Sequence, residues 1–221
     1  MIILHHLNNS RSQRILWLME ELGLDYEIKR YERDKKTMLA PESLKKIHPL
    51  GKSPVITDGQ VTVAESGAII EYLLEKYGKG RLRPAPGSPE ALRFTFWLHY
   101  AEGSLMTPLL LKLIFSKIES SPMPFFVKPI AKGISQKVHQ FFITPQLRLH
   151  FGYLEHELGQ STWFAGNDFT AADIQLSFPI EAGEARGIFD TPYLKKFLER
   201  IHARPAYQKA LERGGDYSVL M

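Results

Sequence analysis

No cysteine occurs among the 221 residues. That absence excludes a disulfide scaffold, thiolate metal ligation and every mechanism in which a protein thiol is the nucleophile. It also fits a reducing compartment. Long hydrophobic runs are missing too. The longest apolar stretch, residues 105–115, is cut by Thr107, Pro108 and Lys112, so no membrane span is expected. Residues 1–6 lack a basic stretch leading into a long apolar one, so no secretory signal is expected and the expected location is cytoplasmic. Charge of one sign is scarce as well: 28 Lys and Arg face 24 Asp and Glu. Residues 1–77 balance at 11 against 11, residues 78–89 carry three basic side chains and no acid, and residues 90–221 carry 14 against 13. The excess sits in one short connector instead of on a helix face, which argues against a nucleic-acid partner.

What is present reads as an ordinary folded chain, with 44% hydrophobic residues. The run Ile2–Leu7 predicts a buried strand. Ile15, Leu18, Met19 and Leu22 then recur at helical spacing and are followed by Gly23, a common helix stop. Tyr26–Tyr31 predicts a second strand, and Pro41–Ile47 a short helix with proline in its first turn. Val55–Thr57 and Val61–Val63 flank Asp58-Gly59-Gln60, a hairpin signal, and Glu65–Tyr77 reads as a helix. The order β-α-β-α-β-β-α implies a small mixed sheet with helices on its faces.

Residues 78–89 hold three Gly and three Pro and read as a linker. Everything beyond reads helical. Leu92, Phe96, Leu98, Tyr100 and Leu105 predict one long apolar face, prolines at 122, 124 and 129 predict a helix end or kink, and 138–158 predicts a further helix with Pro145 as a boundary. Thr170 with Asp173 three positions on is a capping box, assigned to stability. His5 and His6 are adjacent in a strand and face opposite ways, and His150 and His156 are six apart, so no metal site is expected.

Two short motifs carry chemistry. Ser53-Pro54-Val55 places a proline at a strand start, where no ladder bond is needed. Glu65-Ser66 opens a helix directly after the hairpin, and a helix N-terminus with a hydroxyl and free N–H groups favours an anion. Simple capping is the competing reading of that pair.

The segments Pro49-Leu50-Gly51-Lys52-Ser53-Pro54-Val55-Ile56, Glu65-Ser66-Gly67-Ala68-Ile69-Ile70-Glu71-Tyr72-Leu73 and Trp163–Asp173 together resemble the cytosolic glutathione transferases. Ser10-Arg11-Ser12-Gln13-Arg14 with the helix after it is similar to a serine-type, bacterial and fungal branch of that family. The resemblance spans essentially the whole chain. It implies an α+β, thioredoxin-like glutathione-binding domain at 1–80 and an all-α domain at 88–221 that contributes the electrophile pocket and dimer contacts. It implies that Pro54 is cis, that the main chain of Ser53 meets the cysteinyl backbone of glutathione, and that Glu65 and Ser66 hold the γ-glutamyl end. Lys52 would meet the glycyl carboxylate. Counting back four residues from Arg14 reaches Ser10 as the thiol activator, with Asn8, Asn9 and Ser12 as alternatives. The expected electrophile pocket takes in Leu7, Asn8, Met106, Leu110 and, if the tail folds back, Tyr217. The implied activity is attack of glutathione thiolate on small apolar electrophiles. A glutathione-dependent peroxidase and a non-catalytic glutathione-fold binding protein are the rival readings. The implied assembly is a homodimer, with glutathione as co-substrate and no metal.

Overall fold

The computed structural model describes residues 1–34, 36–37, 39–215 and 217–218. Strand β1 (Ile2–Leu7) is followed by helix α1 (Ser12–Leu22) and by strand β2 (Tyr26–Tyr31), which pairs with β1 in parallel, Ile2 opposite Tyr26. Gly23 closes α1 with a φ of 61°, and its N–H bonds the last turn, the role its position predicts. A single turn, α2 (Glu42–Lys45), precedes the hairpin β3 (Val55–Asp58) and β4 (Val61–Ala64), and helix α3 (Ser66–Tyr77) completes this half. The sheet order is β2-β1-β3-β4, with β3 antiparallel to both its neighbours.

The second half is helical: α4 (Pro89–Tyr100), α5 (Met106–Ser120), α6 (Lys128–Val138), α7 (Thr144–Gln160), α8 (Ala171–Ala185), α9 (Pro192–His202) and α10 (Pro205–Gly214). Two π-helical turns, Ala101–Leu105 and His139–Ile143, join α4 to α5 and α6 to α7. No helix among the described residues is long and apolar enough to cross a membrane.

Two sequence expectations need correction here. Of the expected α4 face, Leu98, Tyr100 and Leu105 are buried, together with Phe94, Trp97 and Ala101, whereas Leu92 and Phe96 are 75% and 44% exposed. The helix is apolar on two sides, and periodicity does not say which side meets the core. The proline-rich stretch stops α5 but does not prevent α6, because Pro129 falls in the first turn, where its missing N–H is not needed. Pro145 sits likewise at the start of α7, after a π-turn that the sequence did not signal.

The two halves share one core. Trp17 of α1 meets Tyr207 of α10 at 5.2 Å, edge to face, and Phe169 at 5.6 Å. Arg204 clamps Glu21 with both Nε and Nη2, at 2.6 and 2.9 Å. The capping box forms as expected, and Asp173 also accepts the Phe164 N–H at 2.9 Å, tying the preceding loop to α8. The linker is docked, since the Leu82 carbonyl accepts from Ala171 N–H and Arg81 donates to the Leu22 carbonyl.

Candidate active site

The ends of β1, β3 and β4 and the N-terminus of α3 converge on a cavity of about 420 Å³. Ser10, Lys52, Ser53, Pro54, Glu65 and Ser66 all line it, so residues up to 56 positions apart meet on one surface. The Ser53–Pro54 peptide bond is cis. The Ser53 hydroxyl donates to the His5 carbonyl at 3.0 Å and accepts the Leu7 N–H at 3.3 Å, which pins the turn to β1. Among the described residues the main chain of Ser53 makes no hydrogen bond, leaving an N–H and a C=O for an extended ligand backbone.

Glu65 precedes α3 with a φ of 70°, left-handed for a residue with a Cβ, and its side chain does not cap the helix. Such a conformation costs of order 1 kcal/mol and is held by its surroundings. The capping reading therefore fails for Glu65, whose carboxylate is exposed on the cavity wall. Ser66 is buried, and its oxygen accepts from Arg14 Nη2 at 2.8 Å and from Gln175 Nε2 at 3.3 Å. Two donors occupy its lone pairs, so its single hydrogen is left to donate.

Behind Ser66 lies an ion pair that sequence reasoning missed. Arg14 is 2% exposed, donates Nη1 to the Gln175 carbonyl at 2.6 Å, and pairs Nη2 with Glu102. Glu102 stands in the first π-turn, lines the cavity and also meets Arg11 at 3.1 Å. Burial pushes the Arg14 guanidinium down and Glu102 opposes that shift. The sequence offered Arg14 only as part of the Ser10–Arg14 motif; its partners are 52 to 161 positions away.

Ser10 is 5% exposed and begins the turn into α1. Its hydroxyl oxygen accepts the Ser12 N–H at 3.2 Å, stands 2.7 Å from Ser12 Oγ and reaches Ser53 Oγ at 3.4 Å. The alternatives are placed differently. Ser12 is fully buried against His6, and Asn8 Oδ1 accepts from Arg33 N–H at 3.0 Å, outside the lining of the cavity. Asn9 lines the cavity with a φ of 48°, and its Oδ1 accepts from Ser218 N–H at 2.7 Å.

A second cavity of about 290 Å³ adjoins the first and shares Asn9, Arg11, Arg33 and Phe178 with it. Met106 and Leu110 line this second space and Leu7 lines the first. Asn8 lines neither, and Tyr217 lines neither: its hydroxyl donates to Glu181 at 2.8 Å and is held there.

A family model described as the glutathione S-transferase N-terminal domain matches residues 1–75, and one described as the glutathione S-transferase C-terminal domain matches residues 127–205. Among curated proteins, "Glutathione S-transferase 3" of Schizosaccharomyces pombe is 35% identical across 100% of this chain and 91% of its own length. "Glutathione S-transferase 1" of Saccharomyces cerevisiae is 33% identical across 96% and 94%. A crystal structure of a glutathione S-transferase from Actinobacillus pleuropneumoniae is 37% identical and superimposes with a TM-score of 0.82, covering 99% of this chain and 95% of that one. The sheet and the helices after it are thus a thioredoxin-like domain and the helical domain that accompanies it, and the chain belongs to the glutathione S-transferase family.

Proposed function

We propose that this transferase binds glutathione across the first cavity, ionises its thiol beside Ser10 and directs the thiolate at small, largely apolar electrophiles held in the second. The observation that carries the reading is the meeting of Ser10, Ser53, Glu65 and Ser66 on one wall, with an unspent donor or acceptor at each end. Glu65 takes the γ-glutamyl ammonium, and the Ser66 hydroxyl with the N-terminus of α3 takes its carboxylate. The Ser53 main chain pairs with the cysteinyl residue as an added strand would. Lys52, exposed at the rim, attracts the glycyl carboxylate as a point charge.

That leaves the sulfur at Ser10. A free thiol has a pKa near 8.5. A hydroxyl hydrogen donated to the thiolate is worth roughly 1.5–3 kcal/mol, which is about 1–2 pKa units. The thiolate then forms its carbon–sulfur bond as the leaving group departs with the bonding electrons. In this reading residues 1–80 bind glutathione and residues 88–221 wall the electrophile space, and the chemistry needs no metal. A reducing cytoplasm keeps the co-substrate as a thiol.

The protein works as a homodimer in this reading. The second apolar side of α4, with Leu92 and Phe96 exposed, offers it a contact surface. Sedimentation at micromolar concentration should give twice the 25.3 kDa chain mass, and a species at the chain mass alone counts against it. The activity is tested by following conjugation of glutathione to an aryl halide, with a hydroperoxide as a parallel substrate. Turnover of the halide supports the reading. Turnover of the hydroperoxide alone reassigns the site to a peroxidase, and binding without turnover of either reduces it to a glutathione-binding module.

A further inference from the structure

Residues 120–154 contain no Asp or Glu, while Lys128, Lys132, Lys137 and Arg148 fall within them. The count over residues 90–221 conceals this, because every acid of that half lies outside the stretch. The lysines that pair with acids are Lys45, Lys76, Lys195 and Lys209, and none of Lys128, Lys132 and Lys137 does so among the described residues.

At the start of this stretch the chain turns from α5 into α6, two helices that pack against each other. The Val127 N–H bonds the Pro124 carbonyl at 3.0 Å as the turn closes. Four large apolar side chains there face solvent: Phe125 is 86% exposed, Phe126 64%, Ile130 63% and Ile134 58%. Phe125 and Phe126 meet edge to face at 5.6 Å. The side of α6 that packs is another one. Ser135 on it is fully buried, and His139, one turn on, sets its ring against Phe115 at 6.2 Å. Helical spacing puts Lys128 and Lys132 along one flank of α6, and Ile130, Ile134 and Lys137 along the other. The turn thus presents an apolar tip with unpaired cations on the helix behind it.

We propose that the α5–α6 turn docks on an anionic lipid bilayer. Phe125 and Phe126 enter the boundary between headgroups and acyl chains, and Lys128, Lys132 and Lys137 meet the anionic headgroups. A bilayer answers both features at once, since it removes the apolar tip from water and supplies opposite charge beside it. A second copy of the chain fits poorly, because a two-fold contact through this turn sets lysines against lysines. The end of α5 that leads into the turn also walls the second cavity, through Leu113 and Lys117. Docking there brings the space assigned to apolar electrophiles toward a phase in which such compounds dissolve. The docking itself does not depend on where the glutathione sulfur sits.

The test is co-sedimentation of the full chain with vesicles of phosphatidylcholine alone, and of phosphatidylcholine mixed three to one with phosphatidylglycerol, at low and high salt. The chain should pellet with the anionic vesicles at low salt, far less with the neutral ones, and be released as salt screens the headgroups. Each lysine contributes about five-fold to partitioning, so replacing Lys128, Lys132 and Lys137 together by Gln should lower it about 100-fold. Phe125→Ser with Phe126→Ser should lower it about ten-fold or more. These side chains are exposed, so both variants should keep the wild-type Tm and the wild-type conjugation rate without vesicles. Equal binding to neutral and anionic vesicles, or no binding to either, overturns the proposal. Wild-type partitioning in either variant overturns it too, by placing the contact elsewhere. A solution mass above that of a dimer, reduced by the phenylalanine variant, assigns the tip to a further copy of the chain and also overturns it.

Discussion

Replacing Ser66 by alanine removes one oxygen with three engagements: it accepts from Arg14 and from Gln175, and it holds the hydrogen assigned to the γ-glutamyl carboxylate. A hydrogen bond to a charged group contributes about 1.5–3 kcal/mol, so the glutathione Kd should rise roughly 10- to 150-fold. Folding also suffers, because two buried donors lose an acceptor. Arg14 keeps Glu102 and the Gln175 carbonyl, which limits that loss to about 1–2 kcal/mol. A second variant separates binding from folding. Glu65 holds a φ of 70°, where glycine is at ease, so Glu65→Gly should leave Tm unchanged or raise it while affinity falls. Titration calorimetry with thermal melts on both variants reads the two effects apart. Wild-type affinity in both would refute the placement of the γ-glutamyl end, whatever happens to stability.

Two further outcomes concern stability. Asp173→Ala strips the acceptor from the Phe164 N–H, the Thr170 N–H and the Thr170 hydroxyl, all buried, and should cost about 3–5 kcal/mol in urea unfolding. Asp58 accepts from Lys76 at 2.6 Å and Tyr72 at 2.8 Å, and with the Tyr77 hydroxyl they hold its carboxyl well below the usual 3.8. Its folded pKa is depressed, so the stability it adds is present above about pH 4 and is lost as pH falls through the folded value. Asp58→Asn should lower stability at pH 7 and flatten the acid limb of the stability–pH curve, and an unchanged limb would contradict the assignment.

The sheet was legible because its signals are local. Ile2–Leu7 and Tyr26–Tyr31 are short apolar or alternating runs bounded by breakers, and Asp58-Gly59-Gln60 admits little besides a tight turn. The cavity wall was legible through motif resemblance, since Lys52, Ser53, Glu65 and Ser66 lie within 15 residues. The layer behind that wall was not. Arg14, Glu102 and Gln175 meet Ser66 or one another only after the two halves pack, and no local pattern joins positions 14, 66, 102 and 175. The Ser12–His6 contact was hidden for a related reason. The sequence placed His6 in a strand opposite His5 and no more, and its partner depends on how the turn after β1 brings α1 back over it. The buried face of α4 was legible at Leu98, Tyr100 and Leu105 but not at Leu92 and Phe96, because that helix carries apolar side chains on two sides and packs one of them on α8.

The central claim is that Ser10 makes the thiolate. The direct measurement is the ultraviolet thiolate absorbance of bound glutathione, titrated with pH in the wild-type protein and in Ser10→Ala. Glutathione affinity should stay nearly intact in the variant, since Ser53, Glu65, Ser66 and Lys52 hold the rest of the peptide. The thiol titration should move up by about 1–2 units, and the conjugation rate below the thiol pKa should fall about ten-fold or more. Losing the bond from Ser12 N–H costs about 1 kcal/mol of stability, which lowers Tm without moving the titration. A Ser10→Ala complex that titrates with the wild-type pKa would contradict the account and hand the sulfur to Asn9, the neighbouring alternative that also lines the cavity.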